Sequence, residues 1–256
     1  MFKQILCGVD ETPEALEAVR QARALADPDA QLLLVGVLDV ASAVHAGWAA
    51  TPVLEDMRDA EVAALAAGRS AAGDHVETRL IRGVPWSSIA ETAREEDVDL
   101  VAVGTHERRR PAGIVGGSVA TYTLHEAPSS VLIARPCEDP DRFPRSLVVG
   151  FDGSEGAIEA LSVARLIAEE TSATIRVVAS AGENKLPLDP IRERAPEAAI
   201  DNRPPVEALV AESEDADLLV VGSRGLHGLA AIGSVSERVA HQAKSSVLVV
   251  RHPVLP

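Results

Sequence analysis

The sequence predicts an α/β protein made of two tandem open parallel-sheet sandwiches, the second shortened between its second and third strands. Three observations carry this: the chain repeats itself, its apolar runs are short and continuous, and longer amphipathic stretches alternate with them. The repeat is the strongest. Gly8, Asp10, Glu17 and Arg23 return 142 residues later as Gly150, Asp152, Glu159 and Arg165. The ends of the halves agree as well: His125-Glu-Ala-Pro-Ser-Ser-Val-Leu-Ile-Ala-Arg135 answers His241-Gln-Ala-Lys-Ser-Ser-Val-Leu-Val-Val-Arg251. A period this long is a duplicated domain and not a solenoid unit. The expected division is 1–138 and 146–256, joined by a proline-containing linker at 139–145.

In the first half the apolar runs are Ile5–Val9, Gln31–Leu38, Val76–Ile81, Leu100–Val103 and Val131–Ala134. Continuous Val, Leu and Ile over four to eight residues is the pattern of strands covered on both faces. Between the first two, Ala15, Val19, Ala22 and Ala26 form one helical stripe, with Thr12 as the expected cap and Pro13 at the first helical position. Alternating strand and helix implies right-handed βαβ units and a ligand site at the carboxyl ends of the strands. Asp39 to Gly104 spans 65 residues, but the matching Gly182 to Gly222 spans only 40. The missing stretch corresponds to the Ala-rich run Glu55–Ala72, so the second copy is expected to lack a helix and to have a weak third strand near Glu197–Ile200. The closing strands, Val131–Ala134 and Val247–Val250, are expected to pair with each other, which protects two sheet edges at once.

Hydrophobic residues make up 46% of the chain and aromatics only 2%, so the core must be Ala, Val, Leu and Ile. A net charge of −15 argues against nucleic acid as a partner and makes any anion site a local construction. No apolar run reaches membrane-spanning length, and the two cysteines have no ligand or disulfide spacing. A reducing, cytoplasmic setting without membrane association is expected.

Two glycine segments follow the fourth strand of each half. The first runs from Gly104 through Glu107, Arg108, Arg109 and Arg110 to Gly117-Ser118-Val119; the second joins Gly222, Gly225 and Gly233-Ser234-Val235-Ser236. Both precede a helix. Glycine leaves backbone N–H groups open to a phosphate, and a helix N-terminus adds partial positive charge. A turn followed by a cap would leave the same trace. Its recurrence in both halves favours a ligand.

The chain resembles a tandem universal stress protein over nearly its whole length. The resemblance rests on Val9-Asp10-Glu11-Thr12 and Phe151-Asp152-Gly153-Ser154 after the opening strands, on the Ser-Ser-Val-Leu closing strands, and on the Gly-x2-Gly-x9-Gly-Ser/Thr spacing of the ATP-binding members. It implies the adenine-nucleotide α-hydrolase-like fold, an intrachain equivalent of the family's homodimer, and ATP, with Mg²⁺, as ligand. Asp10 and Val37, with Asp152 in the second half, would line the adenosine end; the glycines and serines would cradle ribose and phosphates. Asp10 also has a purely local reading, as a turn residue beside the helix start. Each half departs from the pattern. The first has Glu107 in place of the second glycine, and the second has seven residues where nine belong, with Ser180 in place of Val37. A side chain rotates away more easily than a loop lengthens, which favours the first pocket.

Other chemistry finds no support. No Walker A segment occurs, the histidines are scattered, and no nucleophile–base pair stands near the pocket. His106 and His227 fall in the glycine loops, whereas His125 and His241 match on the last helix as packing or interface residues. The resulting expectation is a non-enzymatic, nucleotide-binding stress regulator or adaptor with an unidentified protein partner, able to form a further homodimer. The alternative is an interaction scaffold that binds no nucleotide.

Overall fold

The computed structural model describes residues 1–40, 51–73, 76–105, 118–182, 188–223 and 234–251. In the first half β1 (Phe2–Val9), α1 (Pro13–Ala24), β2 (Ala26–Leu38), α2 (Thr51–Ala72), β3 (Val76–Arg82), α3 (Pro85–Glu95), β4 (Leu100–Gly104), α4 (Ser118–Glu126) and β5 (Ser130–Ala134) follow one another. A 3₁₀ turn at Pro140–Arg142 leads to β6 (Ser146–Gly150), α5 (Glu155–Thr171), β7 (Thr174–Ser180), α6 (Leu188–Arg194), β8 (Ala199–Asp201), α7 (Pro205–Glu212), β9 (Leu218–Gly222), α8 (Ser234–Gln242) and β10 (Ser246–Val250).

The ten strands of the described residues form one sheet in the order β3-β2-β1-β4-β5-β10-β9-β6-β7-β8. Within each half the neighbours run parallel; β5 and β10 meet antiparallel, with Leu132 opposite Leu248. The expected pairing of the closing strands is therefore present. Both faces are covered. Ile5, Cys7, Leu34, Ala102 and Leu132 belong to one apolar layer, and Leu6, Val35, Val101, Val131 and Ile133 to the other. Each layer continues across the seam into the second half, which is why the central strands read as unbroken apolar runs.

Local chemistry sets the helix starts. Thr12 accepts a hydrogen bond from the Ala15 N–H at 3.3 Å, and Ser154 accepts one from Ala157 at the same distance, so the repeat carries its caps with it. The predicted stripe on α1 needs one correction. Ala26 is not helical: Leu25 closes the helix through its N–H to the Gln21 and Ala22 carbonyls, and Ala26 opens β2. The predicted loss of a helix in the second copy also needs correcting. Its counterpart of the 22-residue α2 is cut to the seven described residues of α6, and β8 is a three-residue edge strand.

The repeated Ser-Ser-Val-Leu-x-x-Arg segments explain themselves at the seam. The Arg135 N–H donates to Ser246 Oγ, and its guanidinium donates to the carbonyls of Ala240 and Ser245, at the end of α8. Reciprocally, the Arg251 N–H donates to Ser130 Oγ and its guanidinium to the carbonyls of Leu124 and Ala127, at the end of α4. Each arginine thus satisfies the orphan carbonyls of a helix in the opposite half and places a cation at its negative pole. Gln21 adds a link by donating to the Arg135 carbonyl at 2.7 Å and accepting from Ser246 Oγ at 2.7 Å. His125 and Glu237 face each other at 3.2 Å across the same line.

Candidate functional site

At the carboxyl ends of the first-half strands lies a cavity of about 250 Å³. β1 contributes Gly8 and Val9 to its wall, with Asp10 just beyond; β2 contributes Val35 and Val37, with Asp39 beyond; β4 contributes Val103 and Gly104. Helices close the rest, with Ala15 from α1, Met57 and Glu61 from α2, Pro85 and Ile89 from α3, and Val119 and Ala120 from α4. This is the crevice that an open parallel sheet offers where neighbouring strands connect to opposite faces. Its usable volume is slightly below the common range for small-molecule pockets, about 300–1,000 Å³. A base and sugar suit it better than a whole triphosphate.

Most of the wall is apolar, and its polar groups divide between two ends. The sheet order places β2 and β4 on opposite sides of β1. Toward β2 stand Asp39 and Glu61; toward β4 stand Gly104 and the first turn of α4. α4 begins at this end, and the first turn of a helix offers N–H groups without an intrahelical acceptor and the positive pole of its dipole. Asp10 lies between. Its Oδ1 accepts from the Thr12 N–H at 2.9 Å and from the Thr12 hydroxyl at 2.5 Å, which fixes the carboxylate beside the cavity and supports the cap on α1. The local and the site readings of Asp10 are thus compatible.

Gly104 has a packing duty too. A Cβ there would lie 2.5 Å from the Glu14 carbonyl carbon, so α1 can rest on the end of β4 only because this residue is glycine. Gly222 repeats this in the second half, where a Cβ would fall 2.3 Å from the Gly156 carbonyl carbon.

Glu61 is a site residue the sequence reading did not pick out. Burial, reinforced by Asp10 and Glu11, pushes its carboxyl up to about 7 from 4.5. Its Oε2 is buried, and among the described residues no group hydrogen-bonds to it. It sits over Gly36, where a Cβ would come within 3.0 Å. Spacing could have hinted at it: Met57, Glu61, Ala64 and Leu65 share the face of α2 that turns toward the sheet.

The corresponding region of the second half is built differently. Asp152 still accepts from the Ser154 N–H at 3.0 Å, so the turn is retained. Val9, however, has become Phe151, which is buried together with the fully buried Ile191 of α6. Arg194 of α6 donates to the Gly153 carbonyl at 3.0 Å and holds the short helix over the turn. Ser180, in the place of Val37, donates to the Arg203 carbonyl at 2.6 Å, and Ser236 donates to the Gly222 carbonyl at 2.8 Å. Polar groups that a ligand would use are thereby bonded internally.

Of the residues singled out from sequence, Val9, Asp10, Val37, Gly104 and Val119 line the first cavity, and Thr12 fixes Asp10. Ser118 and Ser234 open α4 and α8, and Val235 follows Ser234. Glu107, Arg108, Gly117, Gly225 and Gly233, with His106 and His227, lie outside the described residues. Among the described residues there is no group of three or more metal-ligating side chains, and no helix is long and apolar enough to cross a membrane. Cys7 is buried and its thiol is pushed up to about 12, which makes it a poor nucleophile.

Comparison with known proteins agrees with this architecture. The profile of the universal stress protein family matches residues 1–135 and 192–251. The universal stress protein Rv2623 of Mycobacterium tuberculosis is 27% identical over 294 residues, covering 96% of both chains. A universal stress protein of Mycolicibacterium smegmatis is 27% identical over 287 residues, also with 96% of both covered. In fold, a universal stress protein from Archaeoglobus fulgidus superposes with a TM-score of 0.72 at 18% identity, over 97% of this chain and 96% of that one. With its duplicated α/β halves, its seam of closing strands and a family match over well over half of its length, the chain belongs to the universal stress protein family.

Proposed function

We propose that the first-half cavity binds an adenine nucleotide, ATP with Mg²⁺, and that the protein acts in the cytoplasm as a nucleotide-responsive regulator or adaptor and not as an enzyme. The observation that carries this is the polarity of the cavity. Its apolar middle, of a size for base and sugar, ends at β4 against the first turn of α4, where phosphates gain backbone donors and a favourable dipole. Asp10 would accept from ribose hydroxyls, and Mg²⁺ would travel with the phosphates. Ser118 and Gly117 would complete the phosphate end, with Arg108 offsetting Glu107. Partner proteins would read the occupied or empty state.

For the second half, the scaffold reading is favoured by buried Phe151 and Ile191 and by the internal bonds of Ser180 and Ser236. Asp152, Ser154, Gly222 and Ser236 then serve local folding.

The test borrows the protein's own second copy. Val9→Phe installs the residue that the repeat carries at Phe151. Calorimetric titration of nucleotide-stripped protein with Mg-ATP should give saturable binding for the wild type, and Val9→Phe should abolish it with the circular dichroism unchanged. No saturation by the wild type at millimolar ATP would overturn the proposal.

A further inference from the structure

We propose that the protonation state of Glu61 sets the base preference of this cavity: as a neutral acid its O–H donates to the adenine ring nitrogen while its C=O accepts from the adjacent amine, and as a carboxylate it repels that ring nitrogen. The inference rests on reading the cavity as a nucleotide site and goes further by assigning the base-reading group.

Three observations place the carboxyl for this role. First, it stands at the end of the cavity away from the phosphate-binding pole, on the β2 side that α2 covers. A triphosphate anchored at α4 points its base there. Second, Oε2 is buried and no described group hydrogen-bonds to it, and an unsatisfied buried oxygen is costly unless a ligand or water supplies the partner. Gly36 supplies the space it occupies. Third, the long helix that carries Glu61 has only a seven-residue counterpart in the second half, and there Phe151 is buried in the place of Val9.

The protonation state follows from the surroundings. Asp10 and Glu11 approach from the turn between β1 and α1, and Asp39 lines the cavity from the end of β2. α3 and α4 face the cavity with uncharged Pro85, Ile89, Val119 and Ala120. Burial and like charge thus hold Glu61 near the midpoint of its titration at neutral pH. The two forms read the bases differently. A carboxylic acid offers one donor and one acceptor side by side, which pair with the ring nitrogen and amine of adenine or with the carbonyl and ring N–H of guanine. A carboxylate offers two acceptors and matches the paired N–H donors of guanine.

The experiment measures the affinities of ATP and GTP for the full chain at about pH 6 and about pH 8. Both ligands carry the same triphosphate, so its own titration cancels in their ratio. The ratio of ATP to GTP affinity should fall about tenfold or more over this interval in the wild type. In Glu61→Gln, whose amide offers a permanent donor and acceptor at every pH, the ratio should be flat. ATP binding with a pH-independent ratio in the wild type would overturn the inference and leave the nucleotide reading standing. Failure of both nucleotides to bind at either pH would overturn both. The wild-type result decides the matter even if the variant folds poorly.

Discussion

Arg251→Ala should loosen the seam more than any exposed arginine could. The guanidinium donates to the carbonyls of Leu124 and Ala127 and is largely buried, with burial holding its pKa below the usual arginine value. Each hydrogen bond from a charged donor is worth about 1.5–3 kcal/mol, and the truncation leaves two carbonyls at the end of α4 to find water. Removing the arginine also relieves the cost of burying its charge, so the two contributions do not add in full. A net loss of about 2–4 kcal/mol results. The assay is urea unfolding, with the midpoint falling at unchanged slope. Arg165→Ala serves as the control, because its 2.5 Å ion pair with Glu197 lies on the surface and should contribute under about 1 kcal/mol. If Arg251→Ala costs no more than this control, the cross-seam capping is wrong and strand pairing alone holds the halves together.

Two further predictions concern the cavity. Glu61 is an acid raised above its unfolded pKa, so its neutral form is at home in the fold, and stability is lost as pH rises from about 4.5 through about 7. The unscreened shift corresponds to about 3 kcal/mol. The side chain is only half buried, so roughly 1–2 kcal/mol should remain after solvent screening. Glu61→Gln should therefore gain stability over the wild type at about pH 8 and little at about pH 4, and a gain of equal size at both would contradict the assignment. Gly104→Ala and Gly222→Ala should each cost about 1–3 kcal/mol in thermal or urea unfolding, because the added methyl meets helix backbone and not a movable side chain. Only Gly104→Ala should also weaken nucleotide binding.

The repeat made much of the fold legible. Val131–Ala134 and Val247–Val250 were readable as strands from apolar continuity, and as partners because two matching edges need cover. Thr12 and Ser154 were readable as caps because their chemistry is local. The site was legible only where it lies on the repeated framework, at Val9, Asp10, Val37, Gly104 and Val119. Glu61 escaped because it lies on α2, where the halves differ most and internal comparison has nothing to compare. The difference between the halves was written in the sequence as Phe151 against Val9, but only the burial of Phe151 and of Ile191 on the short α6 gives the substitution its meaning. The helix boundary at Leu25 depended on a backbone turn with no distinguishing residue, so the periodicity ran one residue into the strand at Ala26.

The central claim is that one half holds the ligand and the other half holds the fold. Its most direct test is the stoichiometry of Mg-ATP binding, measured by calorimetry on the wild type, Asp10→Ala and Asp152→Ala. The account predicts one site per chain, weakened in Asp10→Ala and unchanged in Asp152→Ala. Two sites per chain, or a site lost in Asp152→Ala and retained in Asp10→Ala, would contradict it.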